Sequence, residues 1–250
     1  MEFKEAKREH HSSLAAAERQ LLIRIAERLP RVINSDHLTG LGFVAMVAAG
    51  FTYWSARWNP IALFAVVGWL AVNWFGDSLD GTLARVRNQQ RPRYGFYVDH
   101  ILDAFGMLAL FVGLAVSGYM SWAVMTAFLL AYFLLCIEIY LATYTLGKFH
   151  LSFGGMGPTE LRIVLAVGNT VAFFRPTVHL LGAEYKFFDV GGVVAAVGIA
   201  VIAIYSAVTH TGQLYRLEPL NSAAPQSGGL IGVLRCVAPQ DDKQEKVASV

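Results

Sequence analysis

Four aspartates, Asp77, Asp80, Asp99 and Asp103, stand between two long apolar runs, and no chain can bury such a set without balancing its charge. An Asp at the centre of a membrane helix costs about 2.5–3.5 kcal/mol on the insertion scale. Asp77 and Asp80 are three residues apart, Asp99 and Asp103 four apart, so on helices each pair stacks on one face. A short polar connection with Arg87, Arg91, Pro92 and Arg93 separates the pairs. Arg85 supplies part of the compensating charge. Close carboxylates repel one another, and hard divalent cations with oxygen ligands are their usual partners. The stretch reads as a metal site at a membrane surface.

Composition agrees. Of 250 residues, 55% are hydrophobic and 15% charged, and the mean hydropathy is +0.47. Those values place the chain among polytopic membrane proteins. A net charge of +2 is too small to argue for nucleic acid. Cys136 and Cys236 provide no disulfide framework.

Along the chain, residues 1–11 are polar and lack the apolar core of a cleavable signal. Residues 12–30 place Leu14, Leu21, Leu22, Ile25 and Leu29 on one helical stripe, opposite Arg19, Arg24, Glu27 and Arg28. That amphipathic helix suits either an anionic leaflet or the protein's own surface. Six spans are expected, near 37–54 with Asn34-Ser35-Asp36 as caps, then 60–75 running into the acidic stretch, 94–116, 122–146, 161–174 and 190–208. The expected fold is all-α and polytopic, with six transmembrane helices plus the N-terminal amphipathic interfacial helix. Residues 1–33 form the N-terminal segment, 34–210 the membrane domain and 211–250 a largely disordered tail.

Basic residues set the orientation. One set of span ends carries Lys4, Lys7, Arg8, Arg19, Arg24, Arg28, Arg31, Arg85, Arg87, Arg91, Arg93 and Lys148, the other only Arg57, Arg175 and Lys186. By the positive-inside rule both termini and the acidic stretch face the cytoplasm, across the inner membrane if the cell is bacterial.

The residue types also imply a chemistry. Displacement at phosphorus needs metal ions that neutralise a pyrophosphate, cations that hold the leaving nucleotide and a base near the attacking hydroxyl. Asp77, Asp80 and Asp99 suit metal ligation, and Asp103 suits either a second metal or the role of base.

The string Asp77-x2-Asp80-Gly81-x2-Ala84-Arg85, then Gly95-x3-Asp99-x3-Asp103, resembles the signature of the CDP-alcohol phosphotransferase family of integral membrane enzymes. The resemblance spans roughly residues 34–210. It implies transfer of a phosphatidyl or phosphoalcohol group from a CDP-linked donor to a hydroxyl acceptor with release of CMP, dependent on Mg²⁺ or Mn²⁺ at a two-metal site. The donor is either CDP-diacylglycerol or a CDP-headgroup, and the acceptor a polar alcohol or diacylglycerol. The resemblance also implies a homodimer among membrane lipids. Gly81, Ala84 and Arg85 would face the nucleotide, the small residues allowing close approach and Arg85 holding phosphate oxygens. Gly95 would leave room for substrate. Asp99-His100-x2-Asp103 is similar to the run in the choline and ethanolamine phosphotransferase branch, which makes His100 a second candidate base.

Further candidates lie later. Glu138 is an acid inside a span and should face a cavity or partner, with Tyr140 and Tyr144 nearby. Residues 154–160 break the helix and restart it with Arg162 one turn in, on the side of the acids. A cation-coupled transporter is the competing reading, with the acids as ion site. It expects them at the bilayer midplane, whereas they adjoin an arginine-rich connection. A catalytically dead scaffold would lack a motif residue, and none is missing.

Overall fold

The computed structural model describes residues 13–146, 158–180 and 182–218. Among the described residues seven helices and one hairpin follow in order: α1 Ser13–Arg28, α2 Ser35–Ala56, α3 Ala62–Val86, α4 Pro92–Val116, α5 Trp122–Leu146, α6 Pro158–Phe174, β1 Thr177–Leu180, β2 Ala183–Lys186 and α7 Phe187–Leu217. Five of them, α2, α3, α4, α5 and α7, are long and apolar enough to cross a membrane. The expected all-α membrane fold is therefore the one found. Of the six expected spans, the one near 161–174 corresponds to α6, whose 17 residues rise only about 26 Å.

Local chemistry sets the boundaries. Asn34 caps α2 by accepting from the His37 backbone N–H at 2.9 Å, while the His37 ring accepts from the Asn34 N–H. Pro92 opens α4, where its fixed φ suits the first turn. Between α3 and α4, Asn88 takes a left-handed φ of 54°, a conformation that asparagine tolerates better than most residues.

Two glycine contacts decide how closely the central helices pack. A β-carbon on Gly113 of α4 would lie 2.1 Å from the Gly50 carbonyl oxygen of α2, and one on Gly76 of α3 would lie 2.6 Å from the Leu38 carbonyl oxygen. Backbones that approach this far give the dispersion contacts that hold helices together in lipid. Around the α2–α4 crossing lies the main core, with Tyr53, Leu63, Val66, Leu110 and Leu114 almost wholly buried. Inside it the Tyr53 hydroxyl donates to Asn169 Oδ1 on α6 at 2.8 Å, so a polar pair is buried with its partner.

A second apolar cluster joins Leu22 and Ala26 of α1 to Leu38, Leu79 and Leu83. The apolar stripe of α1 thus packs on the protein, with Ile25 and Leu29 against the same cluster and Leu21 half exposed. Two features differ from the sequence expectation. An antiparallel hairpin, pairing Thr177 with Lys186 and Leu180 with Ala183, stands between α6 and α7 and turns at Gly182, whose φ is +82°. Helix α7 also runs on to Leu217, past the expected domain end at residue 210, because Thr209 to Leu217 mixes polar and apolar residues with no proline, and the helix carries Gly212 within it. The compact unit that holds the site ends at Gly212, and a second unit begins at Gln213. Of the expected disordered tail 211–250, residues 211–217 are helical, and residues 219–250, the residues before Ser13 and residues 147–157, with Lys148 and 154–157, lie outside the described residues.

Candidate active site at the acidic cluster

Helices α3 and α4 bring three of the four acids together. Asp77, Asp99 and Asp103 each offer a carboxylate oxygen, and these atoms lie within 4.8 Å of one another. The i, i+4 spacing stacks Asp99 over Asp103 on α4, and Asp77 faces them from α3. All three are half-buried. A small cavity touches them, with Thr39, Gly42, Phe43, Met46, Asn73 and Leu102 as its other walls.

Asp80 is placed differently. It is 9% exposed, accepts the Thr39 hydroxyl of α2 at 2.6 Å on Oδ2, and accepts the Gly81 N–H on Oδ1. The Asp80 carbonyl also takes the Ser35 hydroxyl at 3.0 Å. Asp80 is therefore set into the α2–α3 seam, one helical turn from Asp77, rather than in the group of three.

The charge of Asp77 is met from α6. Arg162 Nη2 donates to Asp77 Oδ2 at 2.6 Å and Arg162 Nε donates to Asn73 Oδ1 at 2.7 Å. Asn73, 2% exposed, donates in turn to the Gly42 carbonyl at 3.0 Å. Asn73 and Asp77 stand at i, i+4 on α3, so one arginine reaches both.

Three carboxylate oxygens at this spacing are a donor set for a hard divalent cation such as Mg²⁺ or Mn²⁺, which prefers oxygen ligands. The residues present fit such an ion.

Near the end of α3, a groove runs between Asn34, Ser35, Asp36, Leu83, Ala84, Gln89, Gln90 and Arg91. Arg85 donates to the Thr82 hydroxyl at 3.2 Å, and its guanidinium lies over Gly81, 3.6 Å from where a β-carbon would stand. Arg91 pairs with Asp36 and sits 4.1 Å over the Tyr94 ring. The hydrogen bond to Asp36 raises the Arg91 guanidinium above its usual value. Arg87 turns the other way, donating to the carbonyls of Leu29 at 2.9 Å, Pro30 at 3.1 Å and Ile33. Nothing lies within 4 Å of a β-carbon built on Gly95.

His100 is held by its own helix. Its Nδ1 donates to the Phe96 carbonyl at 2.7 Å and stands 3.8 Å from Asp99 Oδ2. Phe96 and Tyr140 pack on the ring at centroid distances of 4.2 and 5.1 Å. Tyr144 is exposed. Glu138 does find a partner, since its Oε1 meets His210 Nδ1 of α7.

Sequence reasoning singled out Arg162 without its partners, and missed Thr39, Asn73 and His210. An Asn one turn before the first Asp of the stretch is the signal that was available for Asn73.

The sequence model of the CDP-alcohol phosphatidyltransferase family matches residues 33–209 of the chain. Among curated proteins none matches. Among solved structures, the phosphatidylinositol phosphate synthase of Mycobacterium tuberculosis, crystallised with CDP-DAG bound, is similar at 24% identity and a TM-score of 0.49, over 78% of this chain and 92% of that one.

Proposed function

As this chain belongs to the CDP-alcohol phosphatidyltransferase family, we propose that it moves a phosphatidyl or phosphoalcohol group from a CDP-linked donor to a hydroxyl acceptor at the Asp77–Asp99–Asp103 cluster, with release of CMP. Membership makes it a multi-pass membrane transferase of phospholipid synthesis and sets aside the transporter reading. The convergence of three acids of the signature within 4.8 Å is the observation that carries the proposal.

Asp77, Asp99 and Asp103 would hold Mg²⁺ or Mn²⁺, with Asp80 completing the set from the helix seam. Such an ion neutralises phosphate oxygens and so favours attack at phosphorus. The chain's own residues do the rest. Ala84 keeps the groove at the end of α3 open for the nucleotide, and the Arg85 guanidinium lies over the small Gly81 to meet phosphate oxygens. Gly95, with open space above it, gives the substrate room. The acceptor oxygen bonds to phosphorus as the bond to the CMP oxygen breaks, and the hydroxyl proton passes to Asp103. His100 is the second candidate for that proton, although its Nδ1 is committed to Phe96.

The basic span ends support a site and termini facing the cytoplasm, where nucleotide-activated substrates are made. A homodimer is part of the same reading, by family resemblance.

The test is CMP release by purified protein in detergent with Mn²⁺. One series offers CDP-diacylglycerol with a panel of polar alcohols, and another offers CDP-choline or CDP-ethanolamine with diacylglycerol. Release in the first, lost in Asp99→Asn and on EDTA treatment, identifies a phosphatidyltransferase, and release in the second a headgroup transferase. Silence in both, with Mn²⁺ bound, would overturn the reading.

A further inference from the structure

We propose that Arg162 is a built-in counter-ion that competes with the divalent cation for Asp77, so that the acidic cluster holds metal more loosely than it would beside a neutral side chain. The inference rests on the metal-site reading above and concerns what sets the affinity of that site.

Three half-buried carboxylates within 4.8 Å of one another repel, and Arg162 reaches one of them, Asp77, from α6. Its approach is fixed from behind. Nε is tied to Asn73 at 2.7 Å, and Asn73 is itself pinned to the Gly42 carbonyl at the tight α2–α3 seam. From that pivot Nη2 reaches Asp77 Oδ2 at 2.6 Å. The contact engages one carboxylate oxygen with one Nη, not the two-pronged fork that an arginine makes when it simply neutralises a carboxylate. Nη1 is buried with no hydrogen-bond partner among the described residues. A guanidinium in a purely structural pair would have its donors satisfied.

Two effects of opposite sign meet at this contact. A hydrogen bond that orients a ligating carboxylate strengthens metal binding, and losing such a partner typically costs about 10–100-fold in affinity. A full positive charge beside a divalent ion weakens binding. In a half-buried site the dielectric is well below that of water, so repulsion between the guanidinium and a doubly charged ion outweighs the modest net value of one hydrogen bond. The charge term wins, and Arg162 lowers the metal affinity of the free enzyme.

The experiment is a Mn²⁺ titration of full-length protein in detergent without substrate, read by the electron paramagnetic resonance of free Mn²⁺. Folding of each variant is verified by its elution volume and melting in EDTA. Arg162→Gln, and Arg162→Met as a second neutral variant, should each bind Mn²⁺ about tenfold tighter than wild type. Arg162→Lys keeps the charge and should stay within about threefold of wild type. Asp99→Asn should weaken binding at least about tenfold. Weaker or unchanged binding in the folded neutral variants, or a tenfold loss in Arg162→Lys, would make Arg162 an orienting partner and overturn the proposal while leaving the metal site intact. A wild type that takes up no Mn²⁺, or binding indifferent to Asp99→Asn, would overturn the metal site and this inference with it.

Discussion

Thr39 of α2 donates its hydroxyl to Asp80 of α3 at 2.6 Å, and this bond holds the acid that stands apart from the other three. Asp80 is nearly buried, so its carboxylate depends on such donors. Thr39 is also a wall of the cavity at the acids, which makes it a link between helix seam and site.

Thr39→Val keeps the shape of the side chain and removes the donor. A hydrogen bond to a charged group is worth about 1.5–3 kcal/mol, so kcat/KM for CMP release should fall at least about tenfold. Thr39→Ser restores the hydroxyl and should recover most of the activity. Steady-state kinetics of both variants decide it, and an undiminished Thr39→Val would show that Asp80 needs no help from α2.

The glycines separate packing from chemistry. Gly113→Ala drives a β-carbon to 2.1 Å from the Gly50 carbonyl, so α2 and α4 must part, at a cost of about 1–3 kcal/mol, read as a lower melting temperature in detergent. Gly95→Ala meets nothing within 4 Å, and alanine is the better helix former by about 1 kcal/mol, so its melting temperature should hold or rise. If Gly95 faces the donor, as the family resemblance implies, KM for the CDP-linked substrate rises while the fold stays intact. A Gly95→Ala enzyme with unchanged KM would remove Gly95 from the site.

Asp103 and His100 are told apart by their surroundings. Asp103 stands in the cluster, whereas His100 donates Nδ1 to Phe96 and is packed between Phe96 and Tyr140. Asp103→Asn should reduce kcat by about 10²-fold or more, the usual contribution of a positioned base. His100→Gln should keep kcat within about tenfold and leave the acid limb of the pH–rate profile where it is. Loss of an acid limb in His100→Gln, with Asp103→Asn still active, would exchange the two roles.

What could be read in advance follows from cost. An acid among apolar residues is expensive, so Asp77, Asp99 and Asp103 announce a shared partner, and their spacing announces the shared face. Glu138 declared itself in the same way, though its partner His210 lies just past residue 208, where the expected last span ended. Thr39 and Asn73 were illegible because short polar side chains cost little in a membrane helix and bond locally as often as across helices. The Arg162–Asp77 pair joins α6 to α3 across 85 positions, and no helical periodicity reaches that far. The hairpin at 177–186 is too short to leave a periodic signal.

Arg87 and Arg91 occupy one connection, and their surroundings give them different weights. Arg87 gathers the carbonyls of Leu29, Pro30 and Ile33 at and beyond the end of α1, where helix geometry leaves acceptors open, and the Pro30 carbonyl also takes the Ile33 N–H at 3.1 Å. Arg87→Ala takes this donor from the Leu29 and Ile33 carbonyls and loosens α1, whose Leu22 and Ala26 are otherwise buried against Leu38, Leu79 and Leu83. The cost should be about 1–3 kcal/mol, seen as a lower melting temperature and as new protease cleavage near residues 29–33. Arg91 pairs with Asp36 in the open, their side chains 52% and 43% exposed, so Arg91→Ala should leave melting unchanged. That exposed pair lines the groove beside Ala84, so Arg91→Ala should act on KM for the donor instead. The opposite pattern, a stable Arg87→Ala beside a destabilised Arg91→Ala, would reverse the assignment of clasp and groove wall.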